Sequence, residues 1–305
     1  HNMSRVVINN TRHIMSDTPS LQALSPQAMV EAAEHHVMDK ASKKFTRAFL
    51  LAILAGASIA LAFCFYTTAV AALGDGPGKV VGGLFFALGL FLVVLLGGEL
   101  FTSSTLTLIA RASGKITTAT LLKNWATVYF GNFVGAMIIV LLIFLGRTYM
   151  NFNGNWGLTI LNTALHKVEH VYPSDGFGAL AYARGFIEAL CLGIVCNIMV
   201  CVAVWLSWGG KTVTDKLLVM LFPIGMFVAS GFEHSIANMF MIPMGIVLHY
   251  FSIPEFMNNI NMDHYADLNV MHFIFSNLIP VTIGNIIGGG MMIGLFNWFI
   301  WKKTK

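Results

Sequence analysis

Charge is what this 305-residue sequence has least of. Asp, Glu, Lys and Arg make up 10% of it and hydrophobic residues 56%, against about 25% and about 45–50% in an ordinary soluble domain. Eighteen basic and fourteen acidic side chains cannot coat a 33.3 kDa globule. A soluble enzyme, a nucleic-acid binder and a disordered chain are therefore excluded. Cysteine is scarce as well. Cys64, Cys191, Cys196 and Cys201 lie in apolar runs with no CxxC pair, so neither a disulfide framework nor a zinc site is indicated and they read as packing residues. Short alternating strands are missing too, and the apolar runs are too long for a transmembrane barrel. What remains is an all-α integral membrane protein.

Six apolar runs are present, near 46–73, 79–111, 118–149, 179–208, 214–250 and 268–301. Each exceeds the roughly 20 residues that a helix needs to cross the hydrocarbon. The chain divides into a cytoplasmic N-terminal segment (1–44), a transmembrane domain (45–302) and a short tail (303–305). No secretory signal pattern opens the sequence. In the first segment, Ser25-Pro26 followed by Gln27 to Glu31 predicts a capped amphipathic helix at the membrane surface. Fourteen of the eighteen Lys and Arg fall in the terminal segments and the second and fourth loops. That asymmetry predicts cytoplasmic termini.

Two runs are interrupted. The second holds Gly97-Gly98-Glu99-Leu100-Phe101-Thr102-Ser103-Ser104 and the fifth holds Ser230-Gly231-Phe232-Glu233-His234-Ser235. Glycine weakens a helix, and a carboxylate at bilayer depth needs protein partners. Both are therefore expected to be broken helices, and Ser230 to Glu233 also fits a capping box. The two glutamates are 134 residues apart, in the second helix of each three-helix half. Gly131-Asn132-Phe133-Val134-Gly135 is echoed by Gly284-Asn285-Ile286-Ile287-Gly288 in the third and sixth helices. This predicts an inverted 3+3 repeat whose breaks meet near the midplane. The GNxxG echo is chiefly a close-packing device, with Asn285 also able to donate into a pore.

His234 is the principal candidate: an ionisable ring at a helix break, able to change charge at physiological pH. The blander reading is that Glu233 and His234 merely tie the broken ends together. Thr102 offers a hydroxyl at the other break, facing His234 if the halves are symmetric. Glu99 and Glu233 are expected to be structural acceptors for backbone N–H groups freed by the breaks, since a carboxylate lining a pore would repel an anion. Glu188 reads as a buried or interfacial partner. His249 and His272 read as interfacial.

Four stretches together resemble the formate–nitrite transporter family, most of all its formate channels. They are 98–103, Lys123-Asn124-Trp125 with 128–132, 229–239 and 277–285. The resemblance covers about residues 24–302. The third loop, around Val171 to Gly185, is longer than the pattern leads one to expect. The resemblance implies an aquaporin-like homopentamer with one pore per protomer, in a bacterial inner membrane, carrying formate or another small monovalent anion. It implies no cofactor, no nucleic acid and no enzymatic activity, and allows a cytoplasmic formate-producing enzyme as a partner at the N-terminal segment. Carried over by motif, Thr102 and His234 form the central polar pair with Asn197 supporting His234. Phe86, Leu90, Leu100 and Phe227 form the constrictions, and Lys167 attracts anions at the outer mouth. Each also has an ordinary reading as packing, an interhelical hydrogen bond or a solvated charge.

A bare anion between apolar rings would pay a large desolvation cost. Half-helix N-termini can lower it, or His234 can hand the anion a proton so that a neutral acid crosses. Nitrite and hydrosulfide suit the same chemistry. A haem-bearing membrane redox protein is the rival from another class, with His234, His249 and His272 as candidate axial ligands. His234 and His249 would lie about 22 Å apart along a continuous helix, and no CxxCH motif is present.

Overall fold

The computed structural model describes residues 22–170 and 178–304. Residues 171–177 of the third loop lie outside them. Among the described residues the protein is helical throughout and without strands.

The first helix, α1 (Pro26–Ser42), starts as the sequence leads one to expect: Ser25 accepts from the Ala28 N–H at 3.2 Å, with Pro26 at the first position. It turns Val30, Ala33 and Val37 inward against the protein. The long helices α2 (Phe45–Leu73) and α3 (Asp75–Leu96) follow. At Gly97, with φ +74°, the chain leaves α3, and it resumes as a short half-helix made of α4 (Phe101–Ser104), a 3-10 turn and α5 (Leu108–Ala112). α6 (Thr118–Leu145) completes the first half.

The second half repeats this plan. The helix α7 (Asn155–Val168), which was not expected from the sequence, lies in the third loop and occupies the place that α1 has in the first half. α8 (Ala179–Gly209) and α9 (Val213–Ala229) follow; Gly231, with φ +72°, turns the chain, and α10 (Ser235–Phe251) restarts it. The short α11 (Pro254–Met257) leads to a last helix composed of α12 (Val270–His272), α13 (Ile279–Asn285) and α14 (Phe296–Lys303), joined by π-helical stretches at Phe273–Leu278 and Ile286–Leu295.

Among the described residues, five helical segments are long and apolar enough to cross a membrane, and α10 is a shorter apolar helix of 17 residues. The exterior carries large apolar side chains such as Phe130, Leu145, Leu180, Phe222 and Phe296. Water would not tolerate so much of this surface; lipid or another subunit does. This is a membrane protein.

The GNxxG echo does pack as close contacts require. A Cβ added at Gly135 would sit 2.1 Å from the Ile53 carbonyl oxygen, and one at Gly288 would sit 2.1 Å from the Ile194 carbonyl oxygen. α6 and the last helix therefore approach the backbones of α2 and α8 in the same way.

Candidate functional site

The two breaks are held open by matching sets of hydrogen bonds. At the first, the Glu99 N–H donates to the Leu51 carbonyl at 3.1 Å. Asn132 accepts from the Phe101 N–H at 2.9 Å and donates to the carbonyls of Ala52 and Glu99 at 2.8 and 2.9 Å. At the second, the Glu233 N–H donates to the Leu192 carbonyl at 3.3 Å. Asn285 accepts from the Ser235 N–H at 2.9 Å and donates to Gly193 and Glu233 carbonyls at 2.8 and 3.0 Å. Unwound backbone inside a membrane must have its polar groups satisfied by protein, and one asparagine per half does most of it. Asn285 is consequently not free to donate into a pore. Its amide is spent on the break.

The glutamate side chains are anchors, but not for freed backbone N–H groups. Glu99 receives Lys40 at 2.9 Å and Lys43 at 3.0 Å, both at the end of α1. Glu233 receives Lys167 from α7 at 2.8 Å, with Asn238 and Asn277 donating at 2.5 and 3.0 Å. Asn124 and Asn277 then hold the carbonyls of Lys40 and Lys167. Each half thus clamps its buried carboxylate with a lysine from a peripheral helix. Lys167 is buried and its charge is compensated, which corrects the picture of a free cation waiting at the mouth.

The capping box expected at Ser230 to Glu233 does not form. Ser230 still belongs to the end of α9, where its N–H donates to the Met226 carbonyl at 3.0 Å. A capping box exists instead at Thr212 and Asp215, at the start of α9. His234 caps α10 by accepting the Ala237 N–H at Nδ1, 3.0 Å away. That bond fixes the tautomer. With its Nδ1 lone pair engaged, a neutral ring carries its proton on Nε2, which lies 3.1 Å from the Thr102 hydroxyl. Nε2–H therefore donates to Thr102, and the hydroxyl proton remains available to a third party. Imidazolium has no lone pair, so charging His234 would cost the cap.

Thr102 is positioned through its carbonyl, which accepts from Asn197 at 3.0 Å, Thr105 at 2.7 Å and Cys201 at 3.3 Å. Asn197 also reaches the Asn285 carbonyl at 2.6 Å. Its bonds thus support Thr102 and the last helix rather than His234 directly.

On one side of the pair lies a chain of rings. Phe227 stacks on His234 with centroids 5.9 Å apart, Phe86 meets Phe227 edge-on at 6.0 Å, and Phe63 meets Phe86 at 5.4 Å. These rings, with Lys167, Phe232 and Asn238, line a cavity of about 20 Å³, room for about one water. Leu90 and Leu100 are fully buried but do not line it. Leu100 occupies in the first half the helix-start position that His234 occupies in the second, and makes no side-chain cap there. The site therefore brings together Thr102, His234, Phe86, Phe227 and Lys167.

The sequence reading missed Phe63, Phe232, Asn238 and the lysines of α1 as members of this site. In sequence, Lys40 and Lys43 read only as positive charges of the N-terminal segment. Asn132 carried a signal, since its echo of Asn285 was visible.

The comparisons with known proteins agree with this architecture. Residues 27–299 match the family described as formate/nitrite transporter. The chain is 53% identical over 285 residues to the formate channel FocA of Haemophilus influenzae, covering 92% of this chain and 95% of that one. It is 51% identical over 295 residues to the formate channel FocA of Escherichia coli strain K12, covering 95% and 98%. A solved structure described as a pentameric formate channel with formate bound superposes with a TM-score of 0.76 at 46% identity, covering 85% of this chain and 98% of that one. On a match running through nearly its whole described length, the chain belongs to the formate/nitrite transporter family.

Proposed function

We propose that this protein is a formate channel, a homopentamer with a pore through each protomer, in a bacterial inner membrane with both termini cytoplasmic. The observation that carries the reading is the Thr102–His234 pair, 3.1 Å apart, where two broken helices meet beside Phe86 and Phe227. The near full-length similarity to formate channels supports the substrate. A proton-coupled carrier would use the same residues, and transport rather than catalysis is their common task.

In this reading the six crossings form an inverted repeat, so the N-termini of α4 and α10 converge on the pair from opposite sides. Helix N-termini carry partial positive charge and attract an anion without placing a full cation in the path. Lys40, Lys43 and Lys167 are neutralised by Glu99 and Glu233, which lets anions approach the apolar rings without being trapped. Thr102 donates its hydroxyl proton to a carboxylate oxygen while His234 donates to Thr102. A planar carboxylate of three heavy atoms fits this one-donor arrangement, and a polyol does not. Lys40, Lys43 and Lys167 are internal ion-pair members, yet the remaining Lys and Arg still favour cytoplasmic termini. Leu90 and Leu100 are assigned to a second constriction on the cytoplasmic side, and an N-terminal docking partner that produces formate is consistent with that orientation.

The test is uptake by proteoliposomes of formate, nitrite, hydrosulfide, glycerol and water. The expected order has formate first and glycerol at background. Equal passage of glycerol and formate contradicts the assignment, and faster nitrite or hydrosulfide reassigns the substrate within the family. Phe227→Ala and Leu90→Ala should raise leakiness, and unchanged flux in both removes them from the constriction.

A further inference from the structure

The half-helix that carries Thr102 uses its hydroxyls in two ways. Ser103, Thr105 and Thr107 each fold back on the carbonyl three residues earlier, at 2.9, 2.7 and 2.6 Å, a common local bond for such groups. Thr102 does not. The carbonyl it would use, that of Glu99, is taken by Asn132 at 2.9 Å. Its hydroxyl instead meets His234, 3.1 Å away on the other break. A β-branched side chain is stiff, so the direction of this hydroxyl follows the peptide from which it hangs.

That peptide is held at its carbonyl by Asn197 Nδ2, Thr105 Oγ1 and Cys201 Sγ. The same three atoms share one further neighbour, Gly289 in the π-helical stretch Ile286–Leu295. A Cβ at Gly289 would press on Asn197 Nδ2, Cys201 Sγ and Thr105 Oγ1, the last two at 2.6 Å. The three donors converge on the Thr102 carbonyl only because position 289 has no side chain. π-Helical turns are rare and often mark functional sites.

We propose that Thr105, Cys201 and Gly289 are positioning residues of the anion pathway, forming a cradle that fixes the Thr102 carbonyl and so aims the Thr102 hydroxyl at the carboxylate. The inference deepens the formate reading and rests on it. Asn197 carries the constraint to the other member of the pair. It also donates to the Asn285 carbonyl, and the Asn285 side chain holds the Glu233 carbonyl and the Ser235 N–H on either side of His234. Thr102 and His234 are thus spaced by one continuous set of hydrogen bonds.

Comparison of the halves separates the cradle from the scaffold. With Glu99 aligned on Glu233, Thr102 answers to Ile236 and Thr105 to Met239. Ile53 and Ile194 receive the equivalent glycines Gly135 and Gly288. In that register Asn197 and Cys201 answer to Gly56 and Ala60, and Gly289 to Ala136. The related place therefore has no side-chain donor, yet Asn285 keeps its break open as Asn132 keeps the first. A break does not need a cradle. The cradle occurs where a threonine faces His234.

The test is formate uptake by proteoliposomes of the full chain against formate concentration, with glycerol as the comparison. Thr105→Val keeps the volume and removes one donor. It should assemble as wild type and raise the half-saturating formate concentration by about two- to tenfold, the range set by one hydrogen bond, and Thr105→Ser should restore it. Cys201→Ala removes a weaker donor and should fall at the low end of that range. Gly289→Ala should exceed Thr105→Val, since its methyl displaces all three donors. A purely structural cradle would change the melting temperature and leave half-saturation alone. An assembled Thr105→Val protein with wild-type half-saturation overturns the inference. If Thr105→Val does not assemble, Cys201→Ala decides by the same criterion, and failure of both to assemble assigns the cradle to the scaffold and overturns it as well. Wild-type half-saturation in Gly289→Ala, or its failure to assemble, removes Gly289 from the set. A wild type that passes glycerol as readily as formate defeats the formate reading itself, a result distinct from all of these.

Discussion

Replacing Glu233 by Gln would leave the Lys167 ammonium buried beside an amide. Removing one partner of a buried ion pair costs about 3–5 kcal/mol, because the other charge is stranded. Glu233→Gln should therefore lower the thermal stability of the detergent-solubilised assembly steeply. The double variant with Lys167→Met should recover most of the loss, since an apolar residue of similar size often replaces a buried pair at little cost. If the double variant melts no higher than Glu233→Gln alone, the clamp is not what the glutamate is for. His234 was legible as a candidate because an ionisable residue interrupts an apolar run. Its tautomer was not, because that follows from the Ala237 N–H and only folding brings the two into register. The partners of Glu99 and Glu233 were hidden for a similar reason. Lys40 and Lys167 lie 59 and 66 residues away in sequence, and no local pattern links them.

At the scale of elements, glycine sets how closely helices approach. Gly288→Ala would drive a Cβ to 2.1 Å from the Ile194 carbonyl oxygen, a backbone atom that cannot step aside. Assembly should fail or the melting temperature should drop sharply, as judged by size-exclusion chromatography and thermal unfolding. Gly76→Ala is the control, since a Cβ there meets nothing within 4 Å. The broken helices were visible in the sequence because glycine and glutamate contradict their apolar surroundings. The π-helical stretches of the last helix were not, since an apolar run looks alike in α and π form. The helix α1 is a different case. His36 stacks on Trp208 of α8 at 4.9 Å, and burial first, then the neighbouring positive groups His35 and Lys216, hold its pKa below 6.5. A depressed histidine stabilises docking while neutral, and that contribution is lost as pH falls from about 6.5 through its folded value. Acidification should therefore speed amide exchange in α1, and His36→Phe should remove that response. An α1 whose exchange ignores pH in the wild type would contradict this sign.

For the whole molecule, the halves share more than three helices each. A lysine-bearing peripheral helix, a break with its glutamate and a bridging asparagine recur in both, so the repeat extends through α1 and α7. What differs between the halves is informative: Leu100 stands where His234 stands. The sequence already contained the six runs and both breaks, because they follow from composition. It did not contain the route between the halves, because a pore is defined by side chains converging from distant helices.

The account's central claim is that a capped, neutral His234 works through Thr102 on a small acid. Asn is a good N-cap, so His234→Asn should preserve the start of α10 and the assembled oligomer while removing the titratable ring. The direct measurement is formate uptake and accompanying proton movement in proteoliposomes, wild type against His234→Asn, across about pH 5–8, where imidazole titrates. The expected result is wild-type assembly with formate uptake well below wild type across this range, because an Asn that caps α10 leaves no donor to Thr102. A well-assembled His234→Asn protein that takes up formate as fast as wild type would contradict it.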